Sequence, residues 1–525
     1  MVLPRSTYRL QVRASFDLHA VAAACDYLAT LGVDGLYLSP LLPSSRGSDH
    51  GYDVVAHDTV DPVRGGVDGW TRALAAARSR GLKQVMDIVP NHVGVARAEE
   101  MAAWWAMLRD GPDSPFARWF DVDWAAGGGR VLLPVLGDDF TPDQLAVANG
   151  ELRYFEHRFP LTAGSEGGNP PEVHDRQHYQ LVNFRRADTD QNYRRFFAVT
   201  TLAGLRVEDP AVFDATHVQI ERWVREDRVD GLRVDHPDGL TDPTGYLAGL
   251  RARAGAQTWL LVEKILATGE DLPATWPVDG DTGYAALAEA GGVLIDPAAE
   301  PAFDLLYREL TGDGRSAREH AMEGKRFVAT TILGAELSRL ARLAAGVPDA
   351  EGALCELLAA FPVYRSYLPD GAEHRAAAHA AARSSRPDLH AAFDALAGRL
   401  GDPTDELCVR FQQASSAVMA KGVEDTAYYR YTRFVALNEV GGDPARFGLK
   451  PEQFHAAQRH RQHRYPRGMT TLSTHDTKRS EDVRARLAAL AEVPQAWAHT
   501  VRELMAAAPI PDPGFGYLLW QTFAG

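Results

Sequence analysis

Cysteine is scarce in this chain of 525 residues. Only Cys25, Cys355 and Cys408 occur, and no CxxC pair is present that would suggest a metal site. Three thiols cannot all pair with one another, so we do not expect a disulfide framework. No glycine-rich phosphate loop precedes a predicted helix, and no dense cluster of Asp and Asn has calcium-ligand spacing. The sequence therefore predicts neither a metal ion nor a cofactor.

Long hydrophobic runs are also missing. No stretch of roughly eighteen apolar residues is present, so a membrane-spanning helix is not expected. The N-terminal segment MVLPRSTYRLQV lacks the charged stretch and the following apolar run of a secretory signal. We therefore expect a cytoplasmic protein.

Basic residues are fewer than acidic residues. Asp and Glu number 70 against 55 Lys and Arg, which gives a formal net charge of −15. Such a balance argues against nucleic acid or an anionic membrane as the main partner. The chain is 45% hydrophobic and 24% charged, an ordinary globular composition. Its length predicts one large barrel with insertions, or several domains.

Short apolar runs alternate with helical patterns over much of the chain. We predict helices over 18–31, 70–80, about 214–226 and about 244–254. The predicted strands are Thr7–Gln11, Gly35–Ser39, Gln84–Val89, Gly231–Val234, Trp259–Val262, Gly468–Ser473 and, with less support, Phe361–Leu368. Strands that are apolar on both faces and separated by helices indicate a parallel sheet covered by helices. The predicted fold class is α/β, a (β/α)8 barrel with large insertions and an active site at the carboxyl ends of its strands.

The alternation is interrupted twice, and this divides the chain into five predicted segments. Residues 1–92 form the first part of the barrel, and 93–213 form an inserted domain after the third strand. Residues 214–296 are the middle part of the barrel. Residues 297–467 are a mostly helical insertion, and 468–525 are the last part of the barrel that is present.

Three acidic residues each follow a short apolar run: Asp235 in GLRVDHPDGL, Glu263 in WLLVEKIL and Asp476 in LSTHDTKRSED. A carboxylate near a buried strand end is costly unless it is paired or used. Three of them at three predicted strand ends indicate one shared site. Two carboxylates that face a glycosidic bond are the minimum for sugar transfer with retention, and a third can stabilise the charge that develops on the ring.

Each motif alone has a second explanation. Arg233 and Asp235 are two apart on one strand, so their side chains point the same way, and an adjacent arginine keeps a carboxylate ionised as a nucleophile requires. A structural ion pair explains this pattern equally well. Glu263 follows an entirely apolar run, which suits a proton donor, but a solvated strand end would look the same. An isolated His475-Asp476 pair is usual in turns.

Further polar residues follow the third predicted strand. In DIVPNH, Asp87 lies on the strand, and Asn91 and His92 emerge just beyond it. These side chains are suited to bind hydroxyl groups, although an Asn-His pair after proline is often only loop structure. The order is DxxxNH after the third strand, RxD on the fourth, E on the fifth and HD on the seventh. This order resembles the four short signature regions of the α-amylase superfamily, glycoside hydrolase family 13.

Longer segments resemble one family within that superfamily, the maltooligosyltrehalose synthases. They are GSDHGYDVVAHDTVDP (47–62), RQHYQLVNFRRADTDQNYRRFF (176–197), VMAKGVEDTAYYRY (418–431) and STHDTKRSEDVRARL (473–487). The resemblance runs along nearly the whole chain. It implies an isomerase that converts the reducing-end α-1,4 linkage of a maltooligosaccharide into an α,α-1,1 linkage. It also implies a functional partner, a maltooligosyltrehalose trehalohydrolase.

The resemblance implies a role for each matching residue. Asp235 would be the nucleophile, Glu263 the acid and base, and Asp476 the stabiliser of the transition state. The residues implied in sugar binding are Tyr52, Asp87, His92, Arg233, His236, His475 and Lys478. The segments 176–197 and 421–431 would wall the acceptor side, although scaffold packing explains them equally well.

Two departures from the family pattern are visible. Ala285, in DTGYAALAEA, stands where the family usually has an Asp, which puts activity in question. The chain also ends at Gly525, before the eighth strand and the C-terminal β domain of the family. Either this chain is a fragment or the missing strand is supplied differently. Alternatives therefore stay open: an α-amylase-type hydrolase, a 4-α-glucanotransferase, or an inactive carbohydrate-binding homologue.

Overall fold

The structure is a computed structural model that describes residues 3–525. This part of the chain divides into two compact units. The first unit runs to Glu263 and also includes 275–278 and 332–335. The second unit comprises 264–274, 279–331 and 336–525. The five-segment division made from the sequence stays a prediction.

The first unit is built from short strands and short helices. Its strands are β1 Thr7–Leu10, β2 Gly35–Leu38, β3 Lys83–Ile88, β4 His92–Gly94, β5 Val131–Leu136, β6 Leu145–Ala148, β7 Glu151–Tyr154, β8 His157–Pro160, β9 Tyr179–Asn183, β10 Arg195–Phe196, β11 Val199–Gly204, β12 Gly231–Val234 and β13 Trp259–Val262. Its helices are α1 Leu18–Leu31, α2 Gly66–Ser79, α3 Ala102–Asp110, α4 Pro170–Asp175, α5 Pro210–Thr216, α6 Val218–Arg225 and α7 Pro243–Ala254.

Five parallel strands of this unit are neighbours in the order β1-β2-β3-β12-β13. Residues of β2, β12 and β13 are buried throughout, as expected when helices cover both faces of a parallel sheet. The five strands predicted from the apolar runs of the first 263 residues are all confirmed, with ends that agree to within one residue. Parallel pairing brings the carboxyl ends of these strands to one edge of the sheet.

Helix α1 shows how local sequence sets an element. The Asp17 side chain accepts hydrogen bonds from the backbone N–H groups of His19 and Ala20 and so caps the start of the helix. Gly32 ends it in the left-handed conformation, with φ of 91°. The buried residues between these caps are Leu18, Val21, Cys25 and Leu28, spaced three and four apart on one face.

Smaller sheets occupy the region predicted to be inserted after the third strand. Strands β10, β11 and β4 form an antiparallel sheet, and β6, β7 and β8 form another. Strands β5 and β9 pair in parallel. Because β4 begins at His92, the first of these sheets starts at the residues that follow β3.

The rest of the chain is mostly helical. It contains a short strand β14 Gly280–Asp281 and the helices α8 Tyr284–Gly292, α9 Glu300–Thr311, α10 Ala317–Thr330, α11 Gly334–Leu343, α12 Ala350–Ala360, α13 Ala372–Ser385, α14 His390–Ala397, α15 Glu406–Met419, α16 Tyr428–Arg430, α17 Pro451–Arg464, α18 Glu481–Ala488, α19 Pro494–Ala507 and α20 Pro513–Ala524. A π-helix, Ala420–Ala427, continues α15. Aromatic side chains dominate one core of this unit, where Phe303 contacts Phe434 and Phe447.

Two strand predictions are wrong. The segment Gly468–Ser473 forms no strand; its Met469 N–H donates one hydrogen bond to the Asp281 carbonyl, and no continuous ladder follows. The segment Phe361–Leu368 is made of bends, with a single bridge from Tyr367 to Asp370. Phe361 instead packs its ring against Phe411 of α15. Phe361–Leu368 is largely buried without strand pairing, whereas Gly468–Ser473 has no buried residue.

One predicted helix is divided. The segment predicted as a helix over about 214–226 contains the end of α5 and the whole of α6, with the break at His217. The imidazole of His217 bonds to the Phe213 carbonyl and to the Tyr246 hydroxyl, so the break is held from both sides.

The three cysteines are free and buried. In residues 3–525, no helix is both long enough and apolar enough to cross a bilayer.

Candidate active site

The carboxyl ends of β3, β12 and β13 carry the polar residues predicted from the sequence. Arg233 on β12 lies directly beside Asp87 on β3 in the parallel register. Asp235 follows β12, and its backbone N–H donates to the Ile88 carbonyl. Glu263 follows β13, and its N–H donates to the Val234 carbonyl. Strand pairing thus continues one residue past each strand and brings these side chains to one edge.

One guanidinium joins three carboxylates at this edge. Nη1 of Arg233 donates to Asp87 Oδ1 at 2.8 Å and to Asp235 Oδ1 at 2.7 Å. Nη2 of Arg233 lies 3.1 Å from Glu263 Oε1. The Arg233 and Asp87 side chains are fully buried, whereas that of Glu263 is 19% exposed. The cluster is therefore buried at Arg233 and Asp87 and accessible to solvent at Glu263.

A second cation supports the same cluster from β1. Nη1 of Arg9 lies 3.2 Å from Asp87 Oδ2, and Nη2 donates to the Tyr52 hydroxyl at 2.8 Å. The Tyr52 hydroxyl in turn donates to Asp87 Oδ2 at 2.5 Å, and the Tyr37 hydroxyl lies 3.4 Å from the same oxygen. Asp87 is therefore an anchor that orients Arg9, Tyr52 and Arg233 together.

Electrostatics keep these groups in defined protonation states. Burial opposes the charge on Arg233, but Asp87 and Glu263 outweigh it and hold the pKa of the guanidinium well above its usual range. Burial, with Asp87 nearby, raises the pKa of the Tyr52 phenol well above its ordinary value. Tyr52 is therefore a hydrogen-bond donor at every working pH.

His92 lies at the start of β4 and is buried, with 1% of its surface exposed. Burial lowers the pKa of its imidazole to about 3, with His236 and Arg194 acting in the same direction. Its Nε2 atom has no hydrogen-bond partner within residues 3–525. A buried ring nitrogen that is neutral and unsatisfied is suited to a ligand hydroxyl.

His236 is held in an unusual backbone conformation beside the acid. Its φ is +44°, which is rare for a residue other than glycine. In this conformation its N–H donates to Glu263 Oε2 at 3.0 Å. Its ring contacts the rings of Phe196 and Phe197, whose centroids lie 5.0 and 4.8 Å away. The end of the segment 176–197 therefore packs on a predicted site residue.

The other three predicted site residues lie in the second unit. His475 Nε2 lies 3.1 Å from Asp476 Oδ2, and the Tyr284 hydroxyl lies 3.3 Å from the same oxygen. Tyr284 also shares a hydrogen bond with the Thr474 hydroxyl at 2.9 Å. The Asp476 side chain is 38% exposed.

Both the backbone and the side chain of Lys478 make bonds to acidic side chains. Its N–H donates to Glu439 Oε1 at 2.7 Å, and its ammonium lies 3.2 Å from Asp425 Oδ1 in the π-helix. Lys421 also pairs with Asp425, at 2.7 Å. The segment 421–431 therefore bonds to the loop that carries Asp476.

The sequence reasoning missed four residues that complete these clusters: Arg9, Tyr37, Arg194 and Tyr284. Arg194 donates to Asn91 Oδ1 at 2.6 Å and so fixes the turn before His92. A signal was present for two of them. Arg9 and Tyr37 interrupt the apolar runs of β1 and β2, and a polar residue inside a buried strand needs a partner. Among residues 3–525, no cluster of three or more candidate ligands is arranged to hold a metal ion.

A parallel sheet with an arginine-linked Asp and Glu at the carboxyl ends of its strands is the arrangement expected of a retaining carbohydrate enzyme of the α-amylase type. Comparison with known families agrees, because the family described as "Alpha amylase, catalytic domain" matches residues 1–244.

Individual relatives match almost the entire chain. A Mycobacterium tuberculosis protein, provisionally named maltooligosyl trehalose synthase, is 46% identical over 99% of this chain and 69% of its own length. The solved maltooligosyltrehalose synthase of Arthrobacter ramosus is 52% identical, with a TM-score of 0.97, over 99% of this chain and 69% of that one. The hypothetical maltooligosyl trehalose synthase of Sulfolobus tokodaii is 31% identical, with a TM-score of 0.86, over 99% and 69%.

The chain belongs to the maltooligosyl trehalose synthase family. The similarity in sequence and structure confirms the predicted family and the α-amylase type of α/β fold.

Proposed function

We propose that this protein converts the reducing-end α-1,4 linkage of a maltooligosaccharide into an α,α-1,1 linkage, by intramolecular transglucosylation with retention. The observation that carries the proposal is the binding of Asp235 and Glu263 to one guanidinium, that of Arg233. Retaining glycoside chemistry needs two carboxyl groups close together, one to attack and one to protonate. Membership of the synthase family supplies the choice of reaction.

In the first step, a carboxylate oxygen of Asp235 attacks the anomeric carbon of the penultimate glucose unit. The glycosidic C–O bond breaks, and Glu263 donates its proton to the leaving oxygen of the terminal glucose. The products are a glycosyl ester on Asp235 and a free glucose. Arg233 stabilises the negative charge of Asp235 before attack and that of Glu263 after proton transfer.

In the second step, the released glucose turns and presents its own anomeric hydroxyl. Glu263 now removes the proton from that hydroxyl, whose oxygen attacks the anomeric carbon and releases Asp235. The bond formed is the α,α-1,1 linkage, and the net reaction is an isomerisation. Asp476 stabilises the positive charge that the sugar ring develops in both steps.

The remaining predicted residues bind the reacting sugar. Nδ1 of His92 faces the donating amide of Asn91, so its buried Nε2–H donates to a sugar hydroxyl oxygen. Tyr52 stacks on the ring while Asp87 and Arg9 fix its position. Phe196 and Phe197 help to exclude water, since hydrolysis wins if water reaches the ester before glucose turns. His475 and Lys478 act beside Asp476.

The test is incubation with maltopentaose, followed by measurement of reducing ends and product length. Isomerisation removes reducing ends without shortening the chain. We expect Asp235→Ala and Glu263→Gln each to abolish turnover with little change in thermal stability. The matched control is Asp143→Ala, because Asp143 is exposed and should be replaceable with little effect.

Other outcomes would identify a different function. A rise in reducing ends would indicate an α-amylase-type hydrolase, and products both longer and shorter than the substrate would indicate a 4-α-glucanotransferase. Tight binding of maltopentaose without turnover would indicate a carbohydrate-binding homologue. The intact Asp235 and Glu263 pair argues against this last function.

We further propose a cytoplasmic location and a functional partner of the trehalohydrolase type. The proposed product carries an α-1,4 bond next to its new α,α-1,1 linkage. A maltooligosyltrehalose trehalohydrolase would cut that bond and release trehalose.

A further inference from the structure

The segment that carries Asp476 has no regular secondary structure. Residues 468–480 form bends and coil between the end of α17 and the start of α18. A carboxylate on such a segment is not positioned by a strand ladder, as Asp235 and Glu263 are. Besides the contact of the Tyr284 hydroxyl with its side chain, the placement of Asp476 therefore depends on bonds to the loop itself.

Glu439 supplies these bonds. The residue is buried, with 3% of its surface exposed, and each carboxylate oxygen accepts two hydrogen bonds. Oε1 accepts from the N–H groups of Val440 at 2.8 Å and Lys478 at 2.7 Å. Oε2 accepts from the N–H of Arg479 at 3.0 Å and from Nη1 of Arg484 at 3.3 Å. Two of the four donors are backbone groups just past Asp476.

Arg484 completes the attachment at the other side of the loop. Its Nη1 donates to the Arg479 carbonyl at 2.9 Å, and its Nη2 donates to the Leu472 carbonyl. The Glu439–Arg484 ion pair therefore bonds to the backbone on both sides of Asp476, four residues before it and three after it.

Glu439 is itself held in place by its neighbour. The Asn438 side chain donates to the carbonyls of Tyr428 and Tyr431, at 2.8 and 2.7 Å. The residue next to Glu439 is thus bonded to the segment 421–431, whose Asp425 pairs with the ammonium of Lys478.

We propose that Glu439 is a positioning residue that holds Asp476 in its reactive placement. The inference rests on the proposed function, in which Asp476 stabilises the transition state. All four partners of the carboxylate are donors, so an amide at this position would turn an NH2 group toward two N–H donors. Glu439→Gln would therefore release the loop while it keeps almost the same volume.

The first measurement compares Glu439→Gln with Glu289→Gln, by kcat, KM and melting temperature. Both glutamates line the same cavity of about 510 Å³, but Glu289 pairs with Arg461 and Gln458 and makes no bond to the loop. We expect Glu439→Gln to lower kcat by roughly 10- to 100-fold, the size of effect that a small misplacement of a reacting group produces. Glu289→Gln should keep kcat. Equal kcat values in the two variants would overturn the inference.

A double-mutant cycle separates positioning from general stability. If Glu439 acts through Asp476, then Glu439→Gln should cost little further activity once Asp476→Asn is present. If the losses of activity in the two single variants multiply fully in the double variant, the inference is overturned. Wild-type activity in Asp476→Asn alone would reject the proposed role of Asp476, and with it this inference. A severe loss in Asp476→Asn with normal activity in Glu439→Gln would reject this inference alone.

The cavity beside Glu439 allows a second test that does not depend on the amide. Glu439→Ala leaves space that opens to this cavity, and formate is small enough to occupy the place of the missing carboxylate. We expect added formate to restore at least a tenth of the lost kcat in Glu439→Ala, with no effect on wild type or Asp476→Asn. A Glu439→Ala variant whose low kcat does not respond to formate, while its melting temperature is normal, would count against the inference.

Discussion

Asp281 is a buried carboxylic acid that the proposed chemistry does not use. It lies on β14, is 6% exposed, and its Oδ2 has no hydrogen-bond partner among residues 3–525. Burial raises the pKa of this carboxyl from the ordinary value of 3.8 to about 7, although Arg461 and Lys264 oppose the shift. The folded protein therefore retains this proton over a pH range in which the unfolded chain has lost it.

This shift predicts how stability depends on pH. Between about pH 4 and pH 7 the folded state binds more protons at Asp281 than the unfolded state does, so stability falls as pH rises through this window. Each unit of pKa difference corresponds to about 1.4 kcal/mol. The Asp281→Asn variant has no carboxyl group to titrate at this position. We therefore expect its free energy of unfolding, relative to that of wild type, to be higher at pH 8 than at pH 4.

Urea unfolding of both proteins at the two pH values measures this difference. Asp482→Asn, which changes an exposed acid on α18, is the control and should follow the wild-type pH profile. A pH dependence in Asp281→Asn that matches wild type would show that Asp281 titrates normally.

At the residue scale, motifs pointed to the residues proposed to react but not to the residues that support them. Asp235, Glu263 and Arg233 follow from an RxD pattern and an apolar run that ends in Glu, because strand periodicity already places Arg233 and Asp235 on one side. Arg9 and Tyr37 were missed. Their role depends on β1 and β2 lying beside β3, which is a property of the sheet and not of any short segment.

At the element scale, two glycines allow α10 to approach the π-helix closely. A Cβ atom on Gly422 would lie 2.6 Å from Cα of Lys325, and a Cβ on Gly324 would collide with the Gly422 carbonyl oxygen. The neighbouring atoms are backbone, so they cannot move aside as the end of a side chain can. The packing of these two elements therefore requires glycine at both positions.

We expect Gly422→Ala to lower the free energy of unfolding by about 2 kcal/mol or more, since overpacking of a tight contact is costly. Gly291→Ala is the matched control, because Gly291 lies in α8 and nothing lies within 4 Å of its added Cβ. That change should stabilise the protein by roughly 0.5–1 kcal/mol through helix propensity alone. Chemical denaturation distinguishes the two, and a stable Gly422→Ala would contradict the close packing.

Strand prediction was sound where a partner strand was available and failed where it was not. The runs that became β2, β3, β12 and β13 are almost wholly buried, and β1 pairs with β2 although its Tyr8 is 45% exposed. Gly468–Ser473 has no buried residue and forms no ladder, and Arg484 bonds to its Leu472 carbonyl instead. A strand needs a neighbouring backbone with free hydrogen-bonding groups, which an apolar pattern does not specify.

At the scale of the whole molecule, charge makes a prediction about kinetics. The net charge is −15, but the proposed substrate is neutral and gains nothing from electrostatic steering. We expect kcat/KM for maltopentaose to change by less than about twofold between roughly 0.05 and 0.5 M NaCl, a range over which the screening length falls severalfold. Initial rates at the two salt concentrations, with the melting temperature measured at both, test this. A steep fall in kcat/KM without unfolding would point to a charged substrate.

The sequence by itself determined the α/β class, the positions of five parallel strands along the chain, and the identity of the residues proposed to react. It could do so because burial patterns and short motifs are local properties of the chain. Only the tertiary structure decided that Arg233 joins Asp87, Asp235 and Glu263, that His92 retains an unsatisfied nitrogen, and that Glu439 holds the loop of Asp476. These contacts join residues that are 2 to 146 positions apart, with 39 between Glu439 and Lys478. Their geometry is set by how the elements pack, which no single segment encodes.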